Sequence, residues 1–403
     1  MKNIVVVGAG PSGLYFALLA KGLFPAANIE VYEQNPRDAT YGFGIVLADR
    51  GLHRFKKADP ESYEAIMNAS FMTRHRIIAH PQETIFIEGG GYGGAIARLR
   101  LLTILEQFCA RAGVRVHYQA RIEELEQFAG ADLLVGADGA NSIVRRSRVA
   151  EFGTTSWNLS NRLAWYGTTQ YFPYPSLSFK NFQGGHFVAA AYPYTETMGT
   201  FVPECDANTW FSVGMDRMTD DERRHLAEQV FAQELGGQPL ISNKSLWTSL
   251  PVTRNRQWFV GNCVLIGDAL HSAHPTIGSG TRIAMEDSIA LVEALAHAGG
   301  DVSLALPLFR KVREPQKRKL VVAAEKSFLW YEALGARMET FEPVDFVFDF
   351  LMRTGRIDVR RLTAEYPRFM GRYGNRWMRG NPKFEGGVAA VQDSLRAQPE
   401  AAA

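Results

Sequence analysis

Residues 3–22, NIVVVGAGPSGLYFALLAKG, join an apolar β-branched run to three glycines and a helix-forming stretch. Gly8 permits a tight turn, Gly10 lets the backbone approach a pyrophosphate, and Gly13 allows a helix to pack closely on a strand. The amides and the dipole at the start of that helix favour an anion. The stretch therefore predicts a strand, a phosphate-binding turn and a helix of an α/β fold.

An acidic residue follows this turn at the distance that a dinucleotide site requires. Residues 29–34, IEVYEQ, predict a second strand, and Glu33 is placed to accept a hydrogen bond from a ribose hydroxyl group. The glycine pattern alone is a weak signal, but the strand, the helix and the acidic residue stand in register. A dinucleotide site is the favoured interpretation, and this motif does not distinguish NAD from FAD.

Two later stretches also set a buried strand before a glycine and an aspartate. Residues 131–146, ADLLVGADGANSIVRR, place Asp138 at a strand end, where open α/β sheets bind ligands, although Asp-Gly turns are also common for backbone reasons alone. Residues 265–280, LIGDALHSAHPTIGSG, place Gly267 and Asp268 at another strand end. The Asp268 carboxylate is a candidate to bind a ribityl hydroxyl group of a flavin.

A glycine-rich turn follows this aspartate and begins the next predicted helix. The amides from Gly278 to Gly280 are candidates to face the negative charge that develops on a flavin ring on reduction. These residues complete a predicted cofactor cradle made of three separate segments.

The composition is that of an ordinary globular enzyme. The 403 residues are 46% hydrophobic, and 44 basic against 42 acidic residues leave a formal net charge of +2. This balance does not suggest a nucleic acid or a membrane as the main partner. The three cysteines have no metal-ligand spacing, which favours packed thiols in a cytoplasmic protein without a metal site.

The three motifs, in this order, resemble those of single-component aromatic flavin monooxygenases, the para-hydroxybenzoate hydroxylase-like family. The resemblance spans most of the chain. It implies an α/β fold in which a Rossmann-like FAD-binding domain carries an inserted, mainly antiparallel β-sheet substrate domain and a helical C-terminal region. The family usually has an arginine opening the helix before the second motif, and residues 95–108 offer Arg98 there, with Arg100 as the alternative.

Three regions are therefore expected along the chain. Short aromatic strands in the middle of the sequence predict the antiparallel sheet. The expected boundaries are 1–70, 98–152 and 256–300 for the FAD-binding domain, 71–97 and 153–255 for the substrate-binding sheet, and 301–403 for the C-terminal helical region. In the sheet, Trp165, Tyr192, Tyr194 and Phe201 are candidates to line an aromatic substrate pocket, and each is also typical of a core.

A narrower resemblance lies in residues 41–49, 161–170, 191–204 and 277–291. They look like the subgroup that contains anthraniloyl-CoA monooxygenase, salicylyl-CoA 5-hydroxylase and the violacein-pathway tryptophan hydroxylase. The resemblance implies FAD as cofactor, NADH or NADPH and O2 as co-substrates, and a flavin C4a-hydroperoxide as oxygen donor. The expected substrate is an electron-rich, amino- or hydroxy-substituted ring, free or as a CoA thioester, and the expected state is a monomer or homodimer.

The segment after Asp268 also supplies the catalytic candidates. Pro275 lies where related enzymes meet their substrate, and His274 beside it is a candidate to orient or deprotonate a substrate group. His271 recurs in the family motif as a scaffold residue, so the structural interpretation is favoured for it.

A basic run in the C-terminal region has two interpretations. Its side chains are typical of a solvated helix face, and they would also suit the phosphates of a CoA thioester. The run consists of Arg310, Lys311, Arg313, Lys317 and Arg318.

Two rival functions remain open at the level of the sequence. The first is a flavoprotein dehydrogenase or reductase that does not activate oxygen. The second, a flavin-dependent halogenase, is disfavoured because the sequence has no Trp-x-Trp-x-Ile-Pro stretch. Oxygen uptake would separate these functions from a monooxygenase.

Overall fold

The structure is a computed structural model, and it describes residues 1–39, 42–48, 52–90, 93–272 and 275–380. The chain divides into two compact units rather than three regions. Unit 1 comprises 1–71, 94–159 and 249–321, and unit 2 comprises 72–93, 160–248 and the chain from 322 onward. The expected C-terminal helical region of 301–403 stays a prediction, and the structure groups residues 301–321 with unit 1. Residues 153–159 and 249–255, expected in the substrate sheet, also belong to unit 1.

The strands of the described residues are short, and most precede a turn that the sequence marks with glycine, proline or a polar residue. They are β1 (Asn3–Val7), β2 (Asn28–Tyr32), β3 (Gly44–Ala48), β4 (Phe71–Thr73), β5 (Arg76–Ala79), β6 (Thr84–Ile87), β7 (Gly93–Ala97), β8 (Arg115–His117), β9 (Leu133–Gly136), β10 (Thr154–Asn158), β11 (Arg162–Leu163), β12 (Tyr166–Thr168), β13 (Ser176–Phe182), β14 (Gly185–Pro193), β15 (Gly199–Cys205), β16 (Pro251–Asn255), β17 (Phe259–Val260) and β18 (Cys263–Leu265).

The helices of the described residues dominate the first and last parts of the chain. They are α1 (Pro11–Leu23), α2 (Leu52–Ala58), α3 (Pro60–Asn68), α4 (Arg98–Ala112), α5 (Ile143–Arg146), α6 (Val149–Phe152), α7 (Ala207–Ser212), α8 (Asp220–Val230), α9 (Ala232–Leu235), α10 (Gly267–Leu270), α11 (Gly280–His297), α12 (Val302–Glu332), α13 (Leu334–Thr340), α14 (Pro343–Met352), α15 (Val359–Glu365), α16 (Pro367–Phe369) and α17 (Asn375–Gly380). None of them, within the described ranges, has the length and apolar character that crossing a membrane requires.

Unit 1 is built on a six-stranded sheet with the order β17-β18-β9-β1-β2-β8. The pairs β1–β2, β1–β9, β18–β9 and β2–β8 are parallel, and only the edge strand β17 is antiparallel. The apolar run that the sequence predicts as the first strand is buried, since Ile4 to Val7 are 0–8% exposed. Helix α1 packs against α4 and α11, and the Ser288 hydroxyl on α11 donates to the Ser12 carbonyl oxygen at 2.8 Å.

Unit 2 contains the predicted antiparallel sheet, with the order β11-β15-β14-β13-β5-β6 and β12 paired to β15. Only the β13–β5 pair is parallel, so the mainly antiparallel character is confirmed. One face of the sheet, with Phe187 and Phe201, packs into a core with residues of α7 to α9. The other face, with Phe179 and Val188, packs into a core with aromatic residues from α12 to α17.

Candidate functional site

The three motifs meet at one edge of the unit 1 sheet. Strands β1, β9 and β18 are parallel neighbours, and their carboxyl ends are Val7, Gly136 and Leu265. The turns after these strands therefore lie side by side, although they are far apart in the sequence. Ligands of open α/β sheets bind outside such carboxyl ends.

Two of the three glycines in the first turn have no room for a side chain, whereas the third has open space beside it. Gly8 has a φ of +102°, and a Cβ there would lie 2.5 Å from the Ala137 oxygen. A Cβ at Gly13 would lie 2.0 Å from the Gly8 oxygen, so α1 can start here only without a side chain. A Cβ at Gly10 would lie 4.0 Å from the nearest atom, the Ala137 oxygen. The space beside Gly10 is therefore open, as the approach of a pyrophosphate would require.

Glu33 lies directly beside this turn. Its Oε2 accepts a hydrogen bond from the Ala9 amide at 2.9 Å, and its Oε1 accepts from the Asn35 amide at 2.9 Å. Glu33 also lines a cleft together with Gly10 and Arg98. The structure thus places Glu33, which is predicted to bind the ribose, next to the turn that is predicted to bind the phosphates.

Arg98 brings a third segment to the same place. Arg98 is the first residue of α4 and is half-buried, whereas Arg100, two residues further on, is exposed, and Arg98 is the one that lines the cleft beside Glu33. Burial lowers the pKa of Arg98, and the carboxylates of Asp268 and Glu33 oppose that effect. Arg98 is therefore a cation near Asp268 and Glu33, the two acidic residues that the sequence predicts to bind the cofactor.

Asp138 organises its own turn. Its Oδ2 accepts hydrogen bonds from the amides of Ile143 at 2.6 Å and Val144 at 3.3 Å, at the start of α5. Burial raises the pKa of Asp138, and its Oδ1 is buried without a hydrogen-bond partner among the residues that the structure describes. A buried carboxylate oxygen of this kind suits a site where a hydroxyl group donates a hydrogen bond to it.

Arg145 is a site residue to which the sequence motif gave no role. Its guanidinium group is buried, donates to the Ala269 carbonyl oxygen at 2.8 Å and also pairs with the Ala140 carbonyl oxygen. The available signal was its position after the Asp-Gly turn, within the second motif. Arg145 ties the turn after β9 to the turn after β18.

The third motif forms the predicted turns. Gly267 has a φ of +60°, and a Cβ there would lie 2.7 Å from the Ser12 hydroxyl oxygen. Gly278 also has a positive φ, of +57°, and Gly280 begins α11 directly after Ser279.

The catalytic candidates of this segment are only partly described. Pro275 begins a single 3₁₀ turn, Pro275–Ile277, whereas His274 lies outside the described residues. Burial, followed by the charge of Lys317, lowers the pKa of His271 to about 3. His271 is therefore a neutral imidazole near neutral pH, in keeping with the scaffold interpretation.

The aromatic candidates of unit 2 separate into two groups. Tyr192 is 8% exposed, and burial, opposed by the side chains of Trp165 and Thr200, raises its pKa to about 12. Tyr194 follows on the same side of the chain and is 9% exposed. Phe201 is fully buried on the opposite face and packs against Phe231 with ring centroids 5.4 Å apart, so the structure gives it a core position.

The basic run of α12 is corrected in part. Arg313 and Lys317 are 1% and 3% exposed and pair with buried carboxylates of α11, so they are not available to phosphates of a ligand. The spacing of four residues puts both on the buried face of the helix. Lys311 and Arg318 are exposed, as the solvated-face interpretation expects.

The strand order and the closed glycine turns are those of a dinucleotide-binding fold. A family model described as an FAD binding domain matches residues 106–302. The fold is also that of 2-methyl-3-hydroxypyridine-5-carboxylic acid oxygenase, with a TM-score of 0.65 and 18% identity over 90% of this chain and 96% of that one.

Three curated relatives match this chain over most of its length. A salicyloyl-CoA 5-hydroxylase of Streptomyces sp is 35% identical over 89% of this chain and 71% of the relative. A 3-hydroxy-4-methyl-anthranilyl-[aryl-carrier protein] 5-monooxygenase of Streptosporangium sibiricum is 33% identical over 90% and 97%. A protodeoxyviolaceinate monooxygenase of Chromobacterium violaceum is 31% identical over 86% and 93%. The chain belongs to this family of FAD-dependent aromatic monooxygenases, which confirms the resemblance seen in the sequence.

The chain is therefore an oxidoreductase that uses FAD, NADH or NADPH, and O2 to hydroxylate an aromatic ring. Bound FAD supplies the electron transfer and oxygen activation that amino-acid side chains lack. The rival dehydrogenase and halogenase functions are not supported by these relatives.

Proposed function

We propose that this monooxygenase hydroxylates an amino- or hydroxy-substituted benzoyl group that is carried as a thioester. Two of the three relatives are named for thioester substrates, one on CoA and one on an aryl-carrier protein. The shared chemistry is an electron-rich ring with an acyl thioester, which the sequence already admitted as one form of the substrate. The similarity to these two relatives over about nine tenths of this chain is the observation that carries the proposal.

In this proposal the cofactor is held by the grouped residues of unit 1. Gly8, Gly10 and Gly13 would admit the pyrophosphate, Glu33 would bind the adenosine ribose, and the amides of Gly278 and Gly280 would face the flavin ring. Arg98 would balance the charge of Asp268, whose carboxylate would bind a ribityl hydroxyl group. Asp138 and Gly267 would shape the turns between which the cofactor lies.

The substrate would meet an aromatic surface of unit 2. Trp165 is half-buried, and its side chain opposes the rise that burial causes in the pKa of Tyr192, so the two side chains are neighbours. We propose that these two residues, with Tyr194, contact the substrate ring and exclude water from it. Phe201 is left out, because its side chain lies in the core behind this face.

The proposed catalytic contacts come from the segment after Asp268. Pro275 would contact the reacting edge of the ring through its carbonyl oxygen. His274 would orient or deprotonate the ring amino or hydroxyl group, which raises the electron density of the ring.

The test is oxidation of NADH or NADPH with parallel readings of oxygen and peroxide. The purified flavoprotein receives salicyloyl-CoA, anthraniloyl-CoA, salicylate, anthranilate and tryptophan in separate assays. The proposal expects stimulation by a thioester, little peroxide and a product heavier by one oxygen atom. Turnover of a free acid or of tryptophan with the same product signature, and none with either thioester, would overturn it.

The proposal includes two further expectations, on the oligomeric state and on the cellular location. We expect a monomer or homodimer, and light scattering after gel filtration tests this oligomeric state. A solved structure of 2-methyl-3-hydroxypyridine-5-carboxylic acid oxygenase shows a tetrameric form of that protein. We also propose a cytoplasmic location, supported by three buried, unbridged cysteines, Cys109, Cys205 and Cys263. Cell fractionation tests that location.

A further inference from the structure

Helices α11 and α12 bury a group of charged side chains, which we call the ion cluster. The Arg313 Nε lies 2.8 Å from Asp287 Oδ1, and the Lys317 Nζ lies 2.5 Å from Asp287 Oδ2. Arg313 also contacts Glu286 at 2.9 Å, and Arg282 pairs with the same glutamate. All five side chains are less than 9% exposed, so their charges depend on one another for compensation.

The ion cluster is joined to the third motif through Asp287. Its Oδ2 accepts a hydrogen bond from the Gly267 amide at 3.1 Å, and that amide is buried. On the other side, Ser12 closes the space beside Gly267, which has a positive φ. The backbone at Gly267 is therefore fixed from α1 by packing and from α11 by a carboxylate.

Lys317 is paired with the acid that binds the turn. Burial lowers its pKa, and the carboxylate of Asp287, with a smaller effect from that of Asp268, opposes the lowering. Its Nζ also lies 5.5 Å from the centroid of the Trp258 ring, a position that favours a cation. One buried ammonium group thus balances the charge of the acid that fixes the turn.

We propose that Asp287 and Lys317 are positioning residues for FAD. They hold the Gly267–Asp268 turn in its binding conformation, Asp287 through the Gly267 amide and Lys317 through its ion pair with Asp287. Asp287 and Lys317 are 0% and 3% exposed, so both act through the turn. The inference rests on the FAD-dependent family and is independent of the proposed thioester substrate.

The experiment separates positioning from general stability. Replacing a buried ion pair by apolar residues of similar shape is often neutral for folding, so the double variant Asp287→Leu, Lys317→Met is expected to fold. It removes the acceptor of the Gly267 amide while Arg313 keeps Glu286 as its partner. The control is Lys319→Met, which removes an exposed lysine of the same helix.

FAD is titrated into each apoprotein by flavin fluorescence, and the melting temperature of each apoprotein is measured by circular dichroism. The double variant is expected to bind FAD at least about tenfold more weakly, with an apoprotein melting temperature close to that of the parent. Lys319→Met is expected to match the parent in both readings. The visible absorption bands of the bound flavin are also expected to shift in the double variant and not in the control.

An unchanged dissociation constant for FAD in a folded double variant would overturn the proposal. If that variant does not fold, the smaller pair Asp287→Ala, Lys317→Met decides, because it removes the same acceptor of the Gly267 amide without adding bulk at position 287. A weaker affinity for FAD in this pair, with a folded apoprotein, supports positioning. Unchanged affinity in that variant assigns the ion cluster to stability alone and overturns the proposal.

Discussion

The guanidinium group of Arg145 donates a hydrogen bond of 2.8 Å to the main-chain oxygen of Ala269. This contact joins the turn that follows β9 to the turn that follows β18, and both partners are buried. This one side chain thus links the second motif to the third, beside the pairing of β9 with β18. A cofactor that touches both turns requires their relative position to be fixed.

Replacing Arg145 by methionine is therefore expected to weaken FAD binding. A buried hydrogen bond from a charged donor contributes about 1.5–3 kcal/mol, so the dissociation constant is expected to rise by roughly tenfold or more. FAD titration of the apoprotein measures this. Arg146→Met is the matched control, since Arg146 is exposed, and equal effects of the two substitutions would contradict the assigned role of Arg145.

Glycine substitutions in the first turn are expected to separate folding from cofactor binding. Gly13→Ala places a Cβ 2.0 Å from the Gly8 oxygen and is expected to destabilise unit 1, whereas Gly10→Ala meets no protein atom closer than 4.0 Å. Gly10→Ala is therefore expected to fold and to lose FAD affinity. Thermal melts of the apoproteins and FAD titrations measure both effects. Gly22→Ala, in α1 with nothing within 4 Å of the new Cβ, serves as the control and is expected to be neutral or stabilising.

The charge of Asp268 is expected to matter for retention of the flavin. Asp268→Asn keeps the shape of the side chain but removes its charge. Of the two carboxylates that raise the pKa of Arg98, only that of Glu33 then remains. The purified variant is expected to lose most of its FAD on gel filtration, as measured by the ratio of absorbance at the flavin and protein bands. A variant that stays fully yellow and active would remove Asp268 from the proposed cradle.

The sequence predicts those parts of the site that depend on local order. Gly8, Gly10, Gly13 and Glu33 belong to one strand-turn-helix-strand unit, so their spacing alone places them together. Arg98 is predicted in another way, from the family resemblance, which implies an arginine at the start of the helix before the second motif.

The sequence predicts poorly which face of an element is buried. Tyr192 and Phe201 are neighbouring aromatic positions of paired strands, and only the register, Tyr192 with Thr200 and Ala191 with Phe201, sends them to opposite faces. Similarly, the basic run of α12 does not show that Lys317 meets Asp287 on another helix. These contacts depend on tertiary packing, which no local pattern records.

Glu204 provides a test of the structure of unit 2 through pH. It lies on β15 at 5% exposure, and its Oε1 accepts a hydrogen bond from the Asn161 amide group at 2.8 Å. Burial, opposed by that hydrogen bond and reinforced by the charge of Glu332, raises the pKa of Glu204 from 4.5 to about 7. The folded chain therefore holds the proton of Glu204 more tightly than the unfolded chain between these two values.

The sign of the pH dependence follows from this difference. Because the folded state binds more protons in this window, the contribution of Glu204 to stability falls as the pH rises from 4.5 to about 7. Between pH ~5.5 and ~8 the loss is on the order of 2 kcal/mol, and Glu204→Gln, which carries no charge, is expected to remove it. Urea unfolding at both pH values, with FAD saturating, measures the change. Glu196→Gln, at an exposed position, is expected to keep the parent's dependence, and a Glu204→Gln variant that also keeps it would show that Glu204 is already ionised in the folded chain.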